Sequence, residues 1–429
     1  MKVLIAATAL TGHINPLLAV GRRLTARGDD VVMMTAERFR TKIEASGLRF
    51  APYDDGDAAE YRATDLPAGP ERYRIEFARR FIDPIPLQTG VLRTLIAAEE
   101  PDVIVAGSMM LGVLPLLLGS GPRPPIVTLN VSFLFLDRPD LAPVGLGLPP
   151  ARTEAERAHY ALLKAGMDMA FVDPVRAATD TQLARLGVPA LPASLPHAIA
   201  VLPDLFLQPT VPAFEYDFGR LPRNLRFVGL LPAQKSDAAL PAWWQARDPA
   251  KPVVLVTQGT LANADFGELI EPTLAALADR DDLLVVVTTG GRPVEALTAP
   301  LPGNARVASF LPFDALLPQV SLLVTNGGYG SVSQALAVGV PIVAAGLTED
   351  KAEVGARIAW AGAGLNLATN APTSDALRAA IDTVLGSPRF RSRAAALARD
   401  FQTLDSGRAI LDAIDQAAGA HAVVEEAVA

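Results

Sequence analysis

The sequence predicts an α/β protein of two domains, each a parallel sheet flanked by helices. Three observations carry that expectation. The chain has 429 residues, beyond one typical domain. Strand and helix patterns alternate along both halves. Two apolar strands, in KVLIAATALTG at the N-terminus and PVVLVTQGTLA at 252–262, each run into a turn containing Thr and Gly, a weak internal similarity.

In chain order, KVLIAAT reads as the first strand. Residues 16–27 read as a helix with apolar Leu17, Leu18, Val20 and Leu24, capped by Asn15 and closed by Gly28. DVVMMT is the next strand, 88–99 a helix, and DVIVAG and PIVTLN are further strands. The segments 52–86 and 133–200 are richer in charge, Pro and Phe, and read as insertions above the strand ends, where a pocket would be built. These elements set a first domain at 1–208. Residues 209–251, proline-rich and holding Trp243 and Trp244, read as a linker. A second series over 252–400 begins with PVVLVT and continues with a helix at 267–278, strands LLVVVTT and NARVASF, a strand at 321–325 and PIVAAG. Residues 373–416 read as helical, with a last helix near 401–418. Residues 401–429 are expected to return a helix to the first domain and to end in a frayed tail.

Half of the residues are hydrophobic, so a large core can be buried. A net charge of −8 and a pI near 5.2 argue against a nucleic-acid footprint. With no cysteine, disulfides, thiolate metal sites and a cysteine nucleophile are excluded, which fits a cytoplasmic protein. Lys2 and the run after it resemble the start of a signal peptide, but the run is short and leads into His13, Asn15 and an amphipathic helix, as a first strand would. Residues 103–119 carry no charge and approach membrane-span length, yet three glycines and Pro115 interrupt them. A buried strand followed by a buried helix is expected there, with no stable membrane anchoring.

The most informative stretch is VTNGGYGSVSQAL at 324–336. A β-branched strand stops at Asn326, Gly327, Gly328 and Gly330, and a helical pattern follows. Strand, glycine turn and helix aim free backbone N–H groups at an anion, and glycines let a phosphate approach the chain. Ser331 and Ser333 can cap the helix or touch the phosphate. An ordinary tight turn has the same local pattern. Its company is more specific. TQGTLA with Gly259 and Thr260, FLPFDALLP with Phe310 and Leu311, and AGLTEDK with Glu349, Asp350 and Lys351 also follow strands of the second domain. Together they offer donors for a diphosphate, a platform for a base, and acidic groups for hydroxyls. In the first domain, TGHINPLLAV places His13 at the end of strand one. His13 is one of four histidines, with His159, His197 and His421. It suits a general base, or a ring that only bonds its own loop. The Asp55–Asp57 triplet is too common a pattern to count as a metal site. GYGSVS and GLGLPP are not a dinucleotide fingerprint.

With these motifs the sequence resembles the nucleotide-sugar-dependent glycosyltransferases of the family that includes macrolide, antibiotic and plant natural-product enzymes. The resemblance rests on the GHxxP turn, Phe227–Gly229, LPAWW, the GT after the second domain's first strand, and the run from Phe310 to Gly364. It implies a GT-B fold: two facing Rossmann-like domains, acceptor on the first, donor on the second. It implies an inverting, metal-independent transfer of a hexose from a UDP-sugar or dTDP-sugar, without a cofactor, to a small apolar hydroxyl acceptor. His13 would deprotonate that hydroxyl. Gly12, Gly259, Thr260, Phe310, Leu311, Asn326, Gly327, Gly328, Gly330, Ser331, Gln334, Asp350 and Lys351 would hold the donor. Phe133, Phe135, Met167 and Phe171 are candidate acceptor walls.

The chain departs from its relatives at four places. Asn326 stands where the family usually has His, Gln334 where it has Glu, and Lys351 where it has Gln. UDP-glucose is therefore only the default donor. Many relatives carry an Asp on the strand DVIVAGSMM that charges the catalytic histidine. Gly107 and Ser108 occupy that region here, and Ser108 could orient the ring by a neutral hydrogen bond. A non-catalytic nucleotide-sugar-binding protein and a sugar-nucleotide epimerase on the same fold are the alternatives.

Overall fold

The structure is a computed structural model that describes residues 1–67, 69–233, 238–260 and 263–428. Leu261 and Ala262 of the TQGTLA loop, Gln234–Asp237 of the expected linker and Ala429 lie outside the described residues.

Two all-parallel sheets organise the chain. The first contains β1 (Lys2–Ala6), β2 (Asp30–Ala36), β3 (Arg49–Tyr53), β4 (Val103–Gly107), β5 (Ile126–Leu129), β6 (Leu205–Gln208) and β7 (Leu225–Phe227), in the order β3-β2-β1-β4-β5-β6-β7. The second contains β8 (Val253–Thr257), β9 (Leu284–Thr288), β10 (Ala305–Ala308), β11 (Leu322–Thr325), β12 (Ile342–Ala344) and β13 (Gly364–Asn366), in the order β10-β9-β8-β11-β12-β13. Central strands such as Val103–Gly107 and Val253–Thr257 are buried throughout, as unbroken apolar runs covered by helices on both faces must be.

Strand order reverses between β1 and β4 in the first sheet and between β8 and β11 in the second. Such switch points open a crevice at the carboxyl ends of the strands. Register sharpens this: Ala6 pairs with Ala106, and Thr257 with Thr325, so the neighbouring strands end together and their loops lie side by side.

Several elements differ from the sequence expectation. The first sheet runs through β7, inside the segment 209–251 expected as a linker. Strands β3, β6 and β13 are additional. The first helix, α1 (Thr11–Arg27), begins upstream of Asn15, with Leu10 as its cap and Pro16 inside it. Asn15 instead accepts a hydrogen bond from Lys42 at 2.5 Å. The helix expected at 267–278 is a 3-10 turn (Phe266–Glu268) followed by a short α-helix (Ile270–Ala276). Phe401 belongs to the helix Pro388–Gln402, and the final helix, α4, runs from Ser406 to Val428. The backbone expected to fray is thus helical to Val428.

Helix α4 packs on α1, β4, β5 and β6. Its Ile410, Ala413, Ile414 and Ala417 join the core formed by Leu17, Leu24, Val103 and Leu205. A second apolar cluster bridges the two halves, with Phe133 and Phe206 of the first against Val354 and Ile358 of the second. Two more helices position the site: α2 (Tyr329–Ala337) after β11 and α3 (Lys351–Trp360) after β12.

Candidate active site

The facing sheet edges leave a cleft of about 1640 Å³, lined by both halves. On the first half it is bounded by the start of α1. Leu10 is extended, with φ −123°, and the helix has no side-chain cap, which puts His13 in the first turn beside the end of β1. The His13 amide is held by the Leu10 carbonyl at 2.9 Å. Its ring lies 6.3 Å from that of Phe81, centroid to centroid. Nδ1 is buried without a hydrogen-bond partner, and the residue lines the cleft. Burial pushes the imidazole down to about 4, against an upward pull from the Glu349 carboxylate. His13 is therefore neutral at pH 7 and can accept a proton.

Ser108 does not orient this ring. It lies at the end of β4, but its Oγ is also buried without a partner, so the expected hydrogen bond is absent. The neighbouring position, Gly107, carries no side chain, and a Cβ there would come within 3.2 Å of Leu17 Cδ1, a close contact that Leu17 would have to relieve by a few tenths of an ångström.

The second half contributes the turn after β11. Gly327 has φ +94°, a left-handed conformation that favours glycine. It does not line the cleft; it is buried, with Lys351 packed on it. Gly328 and Gly330 do line the cleft. No side chain caps α2, so the amides of its first turn keep donor capacity toward the cleft. Ser331 Oγ donates to the Gly328 carbonyl at 2.9 Å. Gln334 Nε2 donates to Gly330 O at 3.2 Å, while its Oε1 makes no bond among the described residues.

The other expected donor residues are placed as follows. Asn326 is buried, and its Nδ2 donates to the Gln258 carbonyl at 2.6 Å. That amide proton is used to tie the turn after β11 to the loop after β8. Gly259, in the left-handed region at φ +69°, and Thr260 reach the cleft from β8. Phe310 is 59% exposed there, whereas Leu311 is 2% exposed and its side chain belongs to the core. Gly12 lines the cleft from the first turn of α1. Asp350 Oδ2 accepts the Ser132 hydroxyl at 2.7 Å across the cleft, and burial raises its carboxyl above the usual range despite that bond. Lys351 is buried and pairs with Glu349 at 2.5 Å, so its charge is already partnered. In the Asp55–Asp57 triplet, Asp55 and Asp57 face Arg38 at 2.8 and 3.6 Å.

The four acceptor-wall candidates Phe133, Phe135, Met167 and Phe171 all line the cleft, though Phe133 and Phe135 are mostly buried. Phe171 sits in a π-helical turn (Asp168–Val172) and stacks on Tyr73 at 5.2 Å. Phe77 lies 5.5 Å from Phe171 and 5.0 Å from Phe81, so an aromatic wall leads up to His13. Tyr73, Phe77 and Phe81 are absent from the sequence reading. Their four-residue spacing, one face of a helix, is the signal that identifies them.

Comparison with known proteins accords with this geometry. Residues 271–411 match the family described as erythromycin biosynthesis protein CIII-like, C-terminal domain. The chain is 38% identical to 4'-demethylrebeccamycin synthase of Lentzea aerocolonigenes, over 96% of this chain and 98% of that protein. It is 36% identical to UDP-glycosyltransferase 2 of Phaeomoniella chlamydospora, over 97% and 96%. The fold superposes on the crystal structure of the calicheamicin glycosyltransferase CalG4 with a TM-score of 0.74 at 20% identity, covering 97% of this chain and 98% of that one. The two sheets are the halves of a GT-B fold, and the chain belongs to the nucleotide-sugar-dependent glycosyltransferases of the family that includes the macrolide and plant natural-product enzymes.

Proposed function

We propose that the protein is an inverting, metal-independent hexosyltransferase that moves a sugar from a UDP- or dTDP-sugar to a hydroxyl of a small apolar acceptor. The observation that carries this reading is that His13 and the uncapped start of α2 line one cleft. In this reading the first domain, with its aromatic wall, takes the acceptor, and the second takes the donor. His13 Nε2 removes the acceptor proton as the acceptor oxygen bonds to the anomeric carbon. On the opposite face the bond from that carbon to the phosphate oxygen breaks, and the nucleotide diphosphate leaves with the electron pair. The negative charge that builds there falls beside the first-turn amides of α2, where a helix start stabilises an anion. Asp350 and Gln334 Oε1 are acceptors for donor hydroxyls.

A uridine donor is supported by the name of the relative UDP-glycosyltransferase 2. Asn326 and Lys351 keep a thymidine-linked sugar open. Among the described residues no helix is long and apolar enough to cross a membrane. A cytoplasmic site of action goes with the lack of cysteine.

The test is a screen of UDP- and dTDP-sugars against phenolic and macrolide acceptors, read by mass spectrometry, with the anomeric configuration of the product read by NMR. Transfer with inversion, undiminished by EDTA, is expected. Retention of configuration, or loss of activity on chelation, would contradict it.

A further inference from the structure

Asp350 is the cap residue of α3, a position where Asp normally accepts an amide of its own helix. It does not do so, because no side-chain bond caps α3. The carboxylate turns instead to the first domain, where Oδ2 accepts the Ser132 hydroxyl at 2.7 Å. Among the described residues Ser132 is the only side chain that hydrogen-bonds to it, and Oδ1 takes no bond from another residue. Both residues line the cleft. Burial raises the Asp350 carboxyl, and the Ser132 bond pulls it back toward the charged form.

Ser132 follows β5, and its backbone is held from beneath. Its carbonyl accepts Asn130 Nδ2 at 3.0 Å and Gln208 Nε2 at 2.9 Å. Asn130 and Gln208 are fully buried and bond to each other at 2.7 Å. Gln208 Nε2 also donates to the Tyr329 hydroxyl at 3.1 Å, and that hydroxyl donates to the Pro209 carbonyl at 2.8 Å. Tyr329 is the first residue of α2. The shelf under Ser132 therefore holds the start of α2 and, through the Ser132 hydroxyl, the residue that precedes α3. A buried, paired amide network of this kind favours a single geometry. The two halves are joined without the Ser132–Asp350 bond, since Arg357 pairs with Glu215 across them at 2.6 Å and Glu353 accepts the Gly145 and Gly147 amides. The bond is thus local to the cleft.

We propose that Ser132, from the acceptor domain, is a positioning residue that aims the Asp350 carboxylate at the donor sugar. Ser132 Oγ occupies Oδ2 and leaves Oδ1 as the acceptor for a sugar hydroxyl. With its proton given to Asp350, Ser132 Oγ has no hydrogen left to donate. The pair offers acceptors only and fits a hydroxyl-bearing face of the sugar. This inference rests on the reading of Asp350 as a ligand of the donor sugar.

The test uses Ser132→Ala, Ser132→Thr, Asp350→Asn and the double variant Ser132→Ala with Asp350→Asn, all in the full chain. Calorimetry compares UDP-glucose with UDP, and dTDP-glucose with dTDP. NMR of protein carrying carboxyl-labelled aspartate follows the Asp350 titration without ligand, its signal assigned by loss in Asp350→Asn. In Ser132→Ala, affinity for the sugar nucleotide should fall by about tenfold, the scale of one hydrogen bond to a charged group, with affinity for the free nucleotide nearly unchanged. Asp350 should titrate higher than in the parent protein, because its carboxylate has lost a donor. Ser132→Thr, which keeps the hydroxyl, should recover most of both effects. On the Asp350→Asn background, removal of the Ser132 hydroxyl should cost little more. An unchanged Asp350 titration, equal losses for sugar nucleotide and free nucleotide, or tighter binding of the sugar nucleotide would overturn the proposal. So would full additivity in the double variant, which would make Ser132 a direct sugar ligand. The titration needs no donor, so it decides the coupling of Ser132 to Asp350 even if no sugar transfer is found, an outcome that would count against the glycosyltransferase reading alone.

Discussion

The Arg357 guanidinium on α3 meets the Glu215 carboxylate of the first half's connecting segment at 2.6 Å, with both side chains 1% exposed. Arg357 also holds Glu353 at 2.7 Å and the Leu134 carbonyl at 3.2 Å, and Glu353 accepts the amides of Gly145 and Gly147. This buried network spans the two halves beneath the cleft and fixes which residues face each other across it.

Removal of Arg357 leaves two buried carboxylates without their cation. Arg357→Met is expected to cost about 3–5 kcal/mol, measured by urea unfolding at pH 7. Burial already raises the Glu215 carboxyl. A raised carboxyl binds its proton more tightly in the folded state, so the deficit in the variant should shrink as pH falls and grow as pH rises. A deficit independent of pH would show that the charge on Glu215 is not what destabilises it.

Gly328 and Gly330 are not required by the fold. Gly328 has φ −59°, Gly330 has no positive φ, and a Cβ on either would meet nothing closer than 3.8 Å. Gly330→Ala should therefore keep or raise stability, by up to about 1 kcal/mol for a helical glycine. It should weaken UDP or dTDP binding by tenfold or more, about 1.4 kcal/mol, because the methyl group enters the space over the helix start. Calorimetry and thermal unfolding on the same variant check both.

His13 gives a defined pH dependence. Its folded value is near 4, against 6.5 for an unperturbed histidine. Folding disfavours the protonated ring, so the contribution of His13 to stability is whole above about pH 6.5 and is lost as pH falls toward 4. The acid limb of kcat/KM, which reports the free enzyme, should lie well below 6.5. A limb at 6.5 would show that the ring is solvated.

The sequence disclosed the parts of the site that follow local rules. Central strands are apolar runs ended by glycine, and the loops after them share one sheet edge, so His13, Gly259 and the turn at Asn326 could be placed from order alone. Short strands could not. β6 is four residues between Pro203 and Pro209, and β13 is Gly364–Asn366, with a composition that reads as a loop. Pro16 suggested a helix start at Asn15, but α1 extends to Thr11 and draws His13 into its first turn. The π-helical turn that carries Phe171 leaves no mark in a periodicity of 3.6. The contact across the cleft between Ser132 and Asp350 joins residues far apart in the chain and depends on how the two halves face each other.

The most direct test of the central claim, that His13 is the base of a donor site completed by the second domain, is His13→Ala. Turnover and UDP affinity are measured on the same preparation. Turnover lowered by about 10²–10⁴, with nucleotide affinity nearly unchanged, is the expected result. Turnover equal to that of the parent protein would contradict it.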